Sequence, residues 1–328
     1  MTLRTERLFL PLTYGPPQSL CWSGDALIDW VSGGRRHGLD GNTVESHVAY
    51  RYRFDSAVAS QDGQYAVIYE KLGTKGLLLR QGEVVRELNR SFYHADVYEY
   101  PVALCTLPGG RTLLAHCPDE YCRLELEDAE TGARLTRREG DSPDVFHSRL
   151  QFSRDGRYLL SAGWVWHPVD VAYVFDVAHA LERPASLDEM RDPELGESFV
   201  ETYSAAFGER DTLVFHCSGL EDDESSDGAP LVTYSLTEKR VLSKAPVNRP
   251  MGTMMVMDGY VVSFFEHPQL IELATGRVVE SWPELDTGRQ SSSICRGGSH
   301  PPPLAVDPVG RRFAVGTEKG IEVVRFLP

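Results

Sequence analysis

The sequence contains none of the short catalytic signatures that assign a chain to a major enzyme class. It has no G-x-S-x-G, no H-E-x-x-H, no phosphate-binding G-x-x-x-x-G-K-[ST] and no dinucleotide-binding glycine pattern. Each of these motifs places a nucleophile, a metal ligand or a phosphate-binding backbone at a fixed spacing. Their absence excludes the enzyme classes that they define. We therefore expect no cofactor, and a non-enzymatic role is favoured.

The sequence also lacks long apolar runs and an excess of positive charge. No window approaches the roughly 18 uncharged apolar residues of a membrane-spanning helix. The 33 Lys and Arg residues are outnumbered by 48 Asp and Glu residues, for a net charge of −15. Phosphate backbones and anionic lipid surfaces bind clustered Lys and Arg, so we expect no nucleic-acid partner and no membrane partner.

Cysteine is scarce and is not arranged for metal binding or for a disulfide framework. The chain of 328 residues has six cysteines, and Cys117 and Cys122 have no second pair at zinc-finger spacing. The first twelve residues lack a basic region followed by an apolar core, so no secretory signal is expected. These features predict reduced, mostly buried thiols in a cytoplasmic protein.

A hairpin unit is repeated along the chain. LQFSRDGRYLLSAGW (150–164) has an alternating apolar run, an Asp-Gly turn and a second apolar run. Similar turns lie near positions 24, 63, 110, 156, 210, 259 and 310. Their average spacing is about 47 residues, within the range of propeller blades. Asp-Gly suits such turns because a tight hairpin requires positive φ angles.

A second pair of strands follows the hairpin in most units. RLELEDAETGARLTRR (123–138) and LIELATGRVVESW (270–282) both have a strand, a small polar turn and another strand, and VAYVFDVAHAL (171–181) supplies a strand in its unit. About four strands in each unit is the content of a propeller blade. The sequence therefore predicts an all-β, single-domain, seven-bladed β-propeller of four-stranded antiparallel blades over residues 1–328. The approximate blades are 13–54, 55–97, 98–144, 145–200, 201–248, 249–298, and 299–328 together with 3–12.

The clearest unit resembles a known repeat. FSRDGRYLLSAG (152–163) followed by VAYVFDV (171–177) is similar to a WD40-type repeat, with Phe175-Asp176 where that family has Trp-Asp. Ala-Glu-Thr-Gly (129–132) and Leu-Ala-Thr-Gly (273–276) resemble the family's turn between the last two strands of a blade. The likeness extends over about residues 55–328, although no unit has the family's Gly-His pair. It implies a WD40-like propeller.

The two ends of the chain are expected to share one blade. IEVVRFLP (321–328) supplies a third strand for the last unit and leaves its outermost strand missing. TERLFLPL (5–12) is strand-like, and we predict that it pairs beside 321–327. This pairing closes the ring and covers an edge that would otherwise invite aggregation. The alternative is that these residues form a disordered tail.

Three loops carry the candidate binding residues. The residues are Tyr93, His94, Tyr98 and Glu99 in the loop 91–101, Trp164, Trp166 and His167 in 163–170, and Arg289 and His300 in 284–303. Tyr, Trp and Arg anchor interfaces because they bury a large area and keep a polar group. The favoured function is a monomeric binding platform that presents these loops on one face to a protein or peptide. In the alternative interpretation, the aromatic side chains only pack the loops against the blade ends.

Two other functions remain open. One set of carboxylates and imidazoles lies near the predicted starts of the innermost strands, at Asp55, Glu99, His147, Glu201 and His300. If these side chains converge at the channel mouth, they could hold a metal ion that activates water in a hydrolase or an isomerase. Trp164 or Trp166 could instead stack against a small polar ligand such as a sugar.

Overall fold

Seven antiparallel sheets make up most of the regular structure. The computed structural model describes residues 3–12, 15–190, 201–218, 229–295 and 301–327. The first strand, β1 (Arg4–Pro11), belongs to the seventh sheet. The first sheet contains β2 (Cys21–Ser23), β3 (Ala26–Asp29), β4 (Arg35–Gly38) and β5 (Thr43–Val44). The second contains β6 (Ser56–Ala59), β7 (Tyr65–Tyr69), β8 (Lys75–Arg80) and β9 (Glu83–Asn89). The third contains β10 (Val102–Thr106), β11 (Thr112–His116) and β12 (Glu125–Asp128).

The remaining four sheets follow in chain order. The fourth and fifth contain β13 (Gln151–Phe152), β14 (Tyr158–Val165) and β15 (Val169–Asp176), then β16 (Thr202–Phe207), β17 (Thr212–Cys217), β18 (Pro230–Ser235) and β19 (Arg240–Pro246). The sixth and seventh contain β20 (Met254–Met257), β21 (Tyr260–Ser263), β22 (Gln269–Glu272) and β23 (Val278–Ser281), then β24 (Leu304–Asp307), β25 (Arg312–Gly316) and β26 (Gly320–Leu327) with β1. The helix α1 (Val177–Glu182) follows β15 directly, and a 3-10 helix spans Pro184–Asp188.

Each sheet packs on both of its neighbours, which arranges the sheets in a ring. Every neighbouring pair of sheets shares one buried apolar cluster, including the pair formed by the seventh and the first. In β7, Ala66 and Ile68 pack towards the first sheet while Val67 packs towards the third. Successive side chains of a strand point to opposite faces, so a strand buried on both faces is apolar throughout. The predicted seven-bladed β-propeller is confirmed.

The repeated turns join the first and second strands of each sheet, as their sequence pattern indicates. Gly63 and Gly156 adopt φ angles of 69° and 71° in these turns. A Cβ atom built on Gly156 would lie 2.9 Å from the Sγ of Cys105 in the third sheet. Glycine is therefore required here both by the turn and by the close approach of the neighbouring blade.

The ring is closed by the pairing of its first and last strands. All eight residues of β1 pair antiparallel with β26, from Arg4 opposite Leu327 to Pro11 opposite Gly320. Leu10 is buried in the cluster between the seventh and first sheets, where it packs with Leu27. The predicted pairing of the N-terminal strand with the last blade is confirmed.

The third and fourth blades differ from the others at their outer edge. Within the described ranges their sheets have three strands, and in the third blade an isolated bridge joins Glu127 of β12 to Arg134. In the fourth blade the expected strand 171–181 ends at Asp176, whose carboxylate accepts a hydrogen bond from the N–H of His179 (2.9 Å) and starts α1. No helix in the described part of the chain is long and apolar enough to cross a bilayer.

Candidate functional site

The loops singled out from the sequence open at one face of the ring. The loop 91–101 joins the second blade to the third, and 284–303 joins the sixth to the seventh. Residues 166–168 join the second and third strands of the fourth blade. Because strand direction alternates across each sheet, connections of these two kinds emerge at the same edge of every blade. His300 lies outside the described residues.

Aromatic side chains from several of these loops form one cluster. The aromatic cluster consists of Tyr93, His94, Tyr98, Tyr121, Phe146, Trp164 and Trp166. Phe146 is at its centre, stacked on Trp164 with ring centroids 3.9 Å apart and on Tyr121 at 4.4 Å. Trp166 meets Trp164 edge to face at 5.3 Å. These geometries are the favourable ones for aromatic pairs.

A close backbone contact places Phe146 against Trp164. The N–H of Phe146 donates to the carbonyl of Trp164 (2.9 Å), and the N–H of Trp164 donates to that of Phe146 (3.2 Å). A Cβ atom on Gly163 would lie 2.0 Å from the carbonyl oxygen of Phe146. Sequence reasoning missed Phe146 and Tyr121. A glycine inside a strand, such as Gly163, is a signal that another backbone approaches closely.

The aromatic cluster has a buried base and an exposed surface. Tyr98 is fully buried and Trp164 is 3% exposed. Tyr93 and Trp166 are 41% and 40% exposed, and Phe92, next to Tyr93 in the chain, is 86% exposed. A partner could therefore touch Phe92, Tyr93 and Trp166 directly, while Trp164 and Tyr98 hold them in place. The predicted site residue His167 is also exposed, with a φ angle of 118°.

Arg90 holds the loop 91–101, which carries Tyr93, His94 and Tyr98 of the cluster. Its guanidinium is buried and donates to the carbonyls of Gly73 (2.7 Å), Ala95 (2.6 Å) and Tyr98 (3.0 Å). It also lies over the rings of Tyr98 and Tyr100, 4.5 and 5.0 Å from their centroids. Burial lowers the pKa of Arg90. Sequence reasoning missed this residue, because its acceptors are main-chain carbonyls that leave no pattern.

The loop between the sixth and seventh blades crosses the ring. Ile294 forms an isolated antiparallel bridge with Tyr98, and the N–H of Cys295 donates to the carbonyl of Val97 (2.8 Å). The sixth and seventh blades lie across the ring from the second and third, so residues 290–295 extend over the channel mouth. The predicted site residue Arg289 precedes this segment and pairs with Glu266 (3.0 Å).

The predicted metal ligands have separate partners. Asp55, Glu99, His147 and Glu201 each precede an innermost strand by one to four residues. Their partners are the N–H of Lys71 for Asp55 (2.8 Å), Arg149 for Glu99 (3.7 Å), Ser161 for His147 (3.0 Å) and the N–H of Asp170 for Glu201 (3.0 Å). Among the described residues, no group of three or more His, Cys, Asp or Glu side chains could hold a metal ion.

Two buried histidines should make the fold sensitive to acid. Burial lowers the pKa of both His147 and His216 to about 4, because it disfavours the charged imidazolium. In the unfolded chain both histidines protonate near pH 6.5. Their contribution to the free energy of unfolding is therefore fully present above that pH and is lost as the pH falls towards 4. We expect a loss of about 2 kcal/mol for each histidine at pH 5, measured as the change in free energy of unfolding by urea.

His216 provides the sharper test of this pH dependence. Neither of its ring nitrogens has a hydrogen-bond partner among the described residues. The variant His216→Leu should remove the contribution of this histidine, about 2 kcal/mol of the loss at pH 5. The exposed His47 is the matched control, and His47→Leu should leave the pH profile unchanged. An unaltered profile for His216→Leu would contradict the assignment.

Comparisons with known proteins identify the fold but no relative by sequence. No protein-family model matches the chain, and no curated protein matches it. Among solved structures, the chain is similar to the crystal structure of the computationally designed Ika8 protein, with a TM-score of 0.53. The alignment covers 98% of this chain and 99% of that one at 12% sequence identity. At this identity the similarity concerns the fold alone.

Proposed function

We propose that this chain is a WD40-like, non-enzymatic interaction scaffold that binds a protein or peptide through the aromatic cluster. The observation that carries the proposal is the exposure of Phe92, Tyr93 and Trp166 on the loop-bearing face. Large aromatic side chains are costly to leave in water, and they are the residues that most often anchor interfaces. Tyr93 and Trp166 come from different blades, with ring centroids 6.4 Å apart.

The rigidity of the cluster supports this role. The stack of Phe146 on Trp164 is fixed by two main-chain hydrogen bonds, and the loop 91–101 is held by the buried guanidinium of Arg90. A surface that is ordered before binding loses little conformational entropy when a partner arrives. The exposed rings are therefore presented in a defined arrangement.

The cysteines support a location in a reducing compartment, which we propose to be the cytoplasm. All six are free thiols, and five of them are buried. Burial raises the pKa of Cys21 to about 12 and that of Cys105 to about 11. Thiols in this state are unreactive, and the fold is stabilised without disulfides. We propose that the protein acts as a monomer there.

A peptide selection tests the proposed site. Peptides are selected from a random display library on the wild-type protein, and their affinities are measured by fluorescence anisotropy. We expect Trp166→Ala and Tyr93→Ala to weaken binding at least tenfold, because truncating a central aromatic anchor costs about 2 kcal/mol. Each variant is first checked for an unchanged thermal melt.

Tyr52 offers a matched control for this selection. It is 44% exposed and lies in the loop that joins the first blade to the second, on the same face. Tyr52→Ala should leave the affinities of the selected peptides unchanged. Equal losses for Tyr52→Ala and Trp166→Ala would contradict the proposed site. Binding to glycans but to no peptide would instead favour the sugar alternative.

A further inference from the structure

We propose that the aromatic cluster binds an arginine side chain of the partner. This inference rests on the proposed function and names the chemistry that the surface recognises. The guanidinium would lie on the exposed rings of Tyr93 and Trp166, next to the carboxylate of Asp144. Three observations carry the inference: no Lys or Arg of the described residues lies over the exposed rings, the surrounding loops are acidic, and the rings contact one another so that their outer faces are offered to a partner.

The exposed rings of the cluster are open in a chain that covers other rings with its own arginines. Arg312 lies 4.0 Å from the ring centroid of Trp22, and Arg157 lies 4.8 Å from that of Tyr158. Within the described ranges, no Lys or Arg lies over the ring of Tyr93, Tyr121 or Trp166. A cation from a partner can therefore occupy these ring faces, and the ring quadrupole attracts it.

The loops around the cluster carry exposed carboxylates. Asp144 accepts a hydrogen bond from the hydroxyl of Tyr121 (2.5 Å), so its charge lies at the edge of the aromatic cluster. The other exposed acids of the loops 91–101 and 137–149 are Asp96, Glu139 and Asp141, none of which has an ion pair among the described residues. These carboxylates favour a positively charged partner.

Most basic side chains near the cluster are already engaged. Arg123 donates to the carbonyl of Arg138 (3.0 Å), and the Arg138 guanidinium makes a two-bond contact with Asp188. Arg149 donates to the hydroxyl of Thr253 (3.0 Å). Arg137 remains as the exposed basic residue of these loops. The loops 91–101 and 137–149 together carry five Asp and Glu residues and three arginines, a formal net charge of −2, so the surface is complementary to a cation.

Ring spacing distinguishes arginine from lysine. Tyr93 lies 5.0 Å from Tyr121, and His94 lies 5.2 Å from Trp166, so neighbouring rings are in contact with each other. Rings in such contact offer flat outer faces and edges to a partner. A planar guanidinium stacks on such faces and can also form a bidentate contact with a carboxylate. Asp144 is the carboxylate placed to accept it.

Three matched peptides test the inference with the full-length chain. The probes are fluorescein-labelled nonapeptides with glycine and serine spacers and three arginines, three lysines or three citrullines. Citrulline keeps the shape of arginine without its charge. We expect the arginine peptide to bind at least tenfold more tightly than the citrulline peptide, with the lysine peptide between them, by fluorescence anisotropy. Equal affinities for arginine and citrulline peptides would overturn the inference.

Variants then separate a specific site from general attraction to an acidic protein. Asp144→Asn keeps an acceptor for the Tyr121 hydroxyl but removes the charge, and it should weaken the arginine peptide about fivefold or more. Trp166→Ala should do the same. Glu238→Gln is the charge-matched control, because Glu238 lies in a turn at the opposite face, paired with Arg240 (2.6 Å). A loss for Glu238→Gln as large as that for Asp144→Asn would overturn the inference.

The two proposals can fail separately. One outcome is that the library-selected peptides lose affinity with Trp166→Ala and yet keep it when arginine is replaced by citrulline. In that case the proposed interaction surface is supported and the arginine inference is wrong. If Trp166→Ala leaves the selected peptides unaffected, the proposed function itself is wrong, whatever the charge of the peptide.

Discussion

Deletion of residues 1–12 is expected to lower the midpoint of thermal unfolding by more than about 10 °C and to cause aggregation. The deletion removes β1 and with it all eight register pairs to β26. It also removes the buried Leu10 from the cluster shared by the seventh and first blades. The last strand would then present an unpaired edge that carries Ile321 and Val323, and an exposed apolar edge is a site of intermolecular pairing. The measurements are a thermal melt by circular dichroism and light scattering.

Three controls separate ring closure from a general effect of truncation. A synthetic peptide of residues 3–12, added to the truncated protein, should restore part of the lost stability because it can occupy the open edge. In the full chain, Leu10→Asp should reproduce much of the loss, since it places a charge in the cluster between the seventh and first blades. Glu6→Ala should have little effect, because Glu6 is exposed. An unchanged melt after deletion would refute closure by β1.

Replacement of Arg90 by alanine is expected to destabilise the protein by about 3–5 kcal/mol. The Arg90 side chain is 5% exposed, and its guanidinium is the donor for several main-chain carbonyls of the loop 91–101 and its surroundings. Loss of the donor would leave these carbonyls buried and unsatisfied, and would remove the cation from the rings of Tyr98 and Tyr100. The free energy of unfolding in urea measures the effect, and near-ultraviolet circular dichroism reports the aromatic packing.

Arg90→Lys and Arg51→Ala are the controls for this prediction. Lysine keeps the charge but has one nitrogen, which cannot reach all the carbonyls that the guanidinium bridges. Arg90→Lys should therefore lose an intermediate amount of stability. Arg51 is exposed, and Arg51→Ala should change stability by less than about 0.5 kcal/mol. If Arg90→Ala were as mild as Arg51→Ala, the loop 91–101 would not depend on this residue.

The fold could be predicted because its determinants are local and repeated. Each hairpin can be recognised in the sequence by its turn, in which the φ angles favour glycine, as at Gly63 and Gly156. The runs on either side are apolar because each sheet is covered on both faces. The end of the strand in the fourth blade was missed, since VAYVFDVAHAL is apolar throughout, while the carboxylate of Asp176 caps a helix at Val177. This capping bond marks the change from strand to helix, and Val177 and Ala180 of the helix are buried in the core.

The candidate site could be predicted only in part. Tyr93, His94, Tyr98, Trp164 and Trp166 stood out as aromatic residues in loops of different blades, and the structure brings them together. Phe146 and Tyr121 were missed, although the whole cluster is built around Phe146. The carboxylates and histidines ahead of the innermost strands shared a position in their units, but each has its own partner in the described residues. Equivalent places in a repeat do not ensure convergence, because the direction of a side chain is set by its own loop.

The sequence by itself determined the number of blades, the hairpin turns and the strand that closes the ring. The turns and strands depend on turn chemistry and on the alternation of apolar residues over a few neighbouring positions. The closing strand could be predicted because the last unit lacks its outermost strand. Only the tertiary structure decided which aromatic rings are buried and which face solvent, and that residues 290–295 cross the ring to the loop 91–101. Those outcomes depend on contacts between residues up to about two hundred positions apart, such as Tyr98 with Ile294. No local pattern encodes such a contact, because it exists only after the ring has closed.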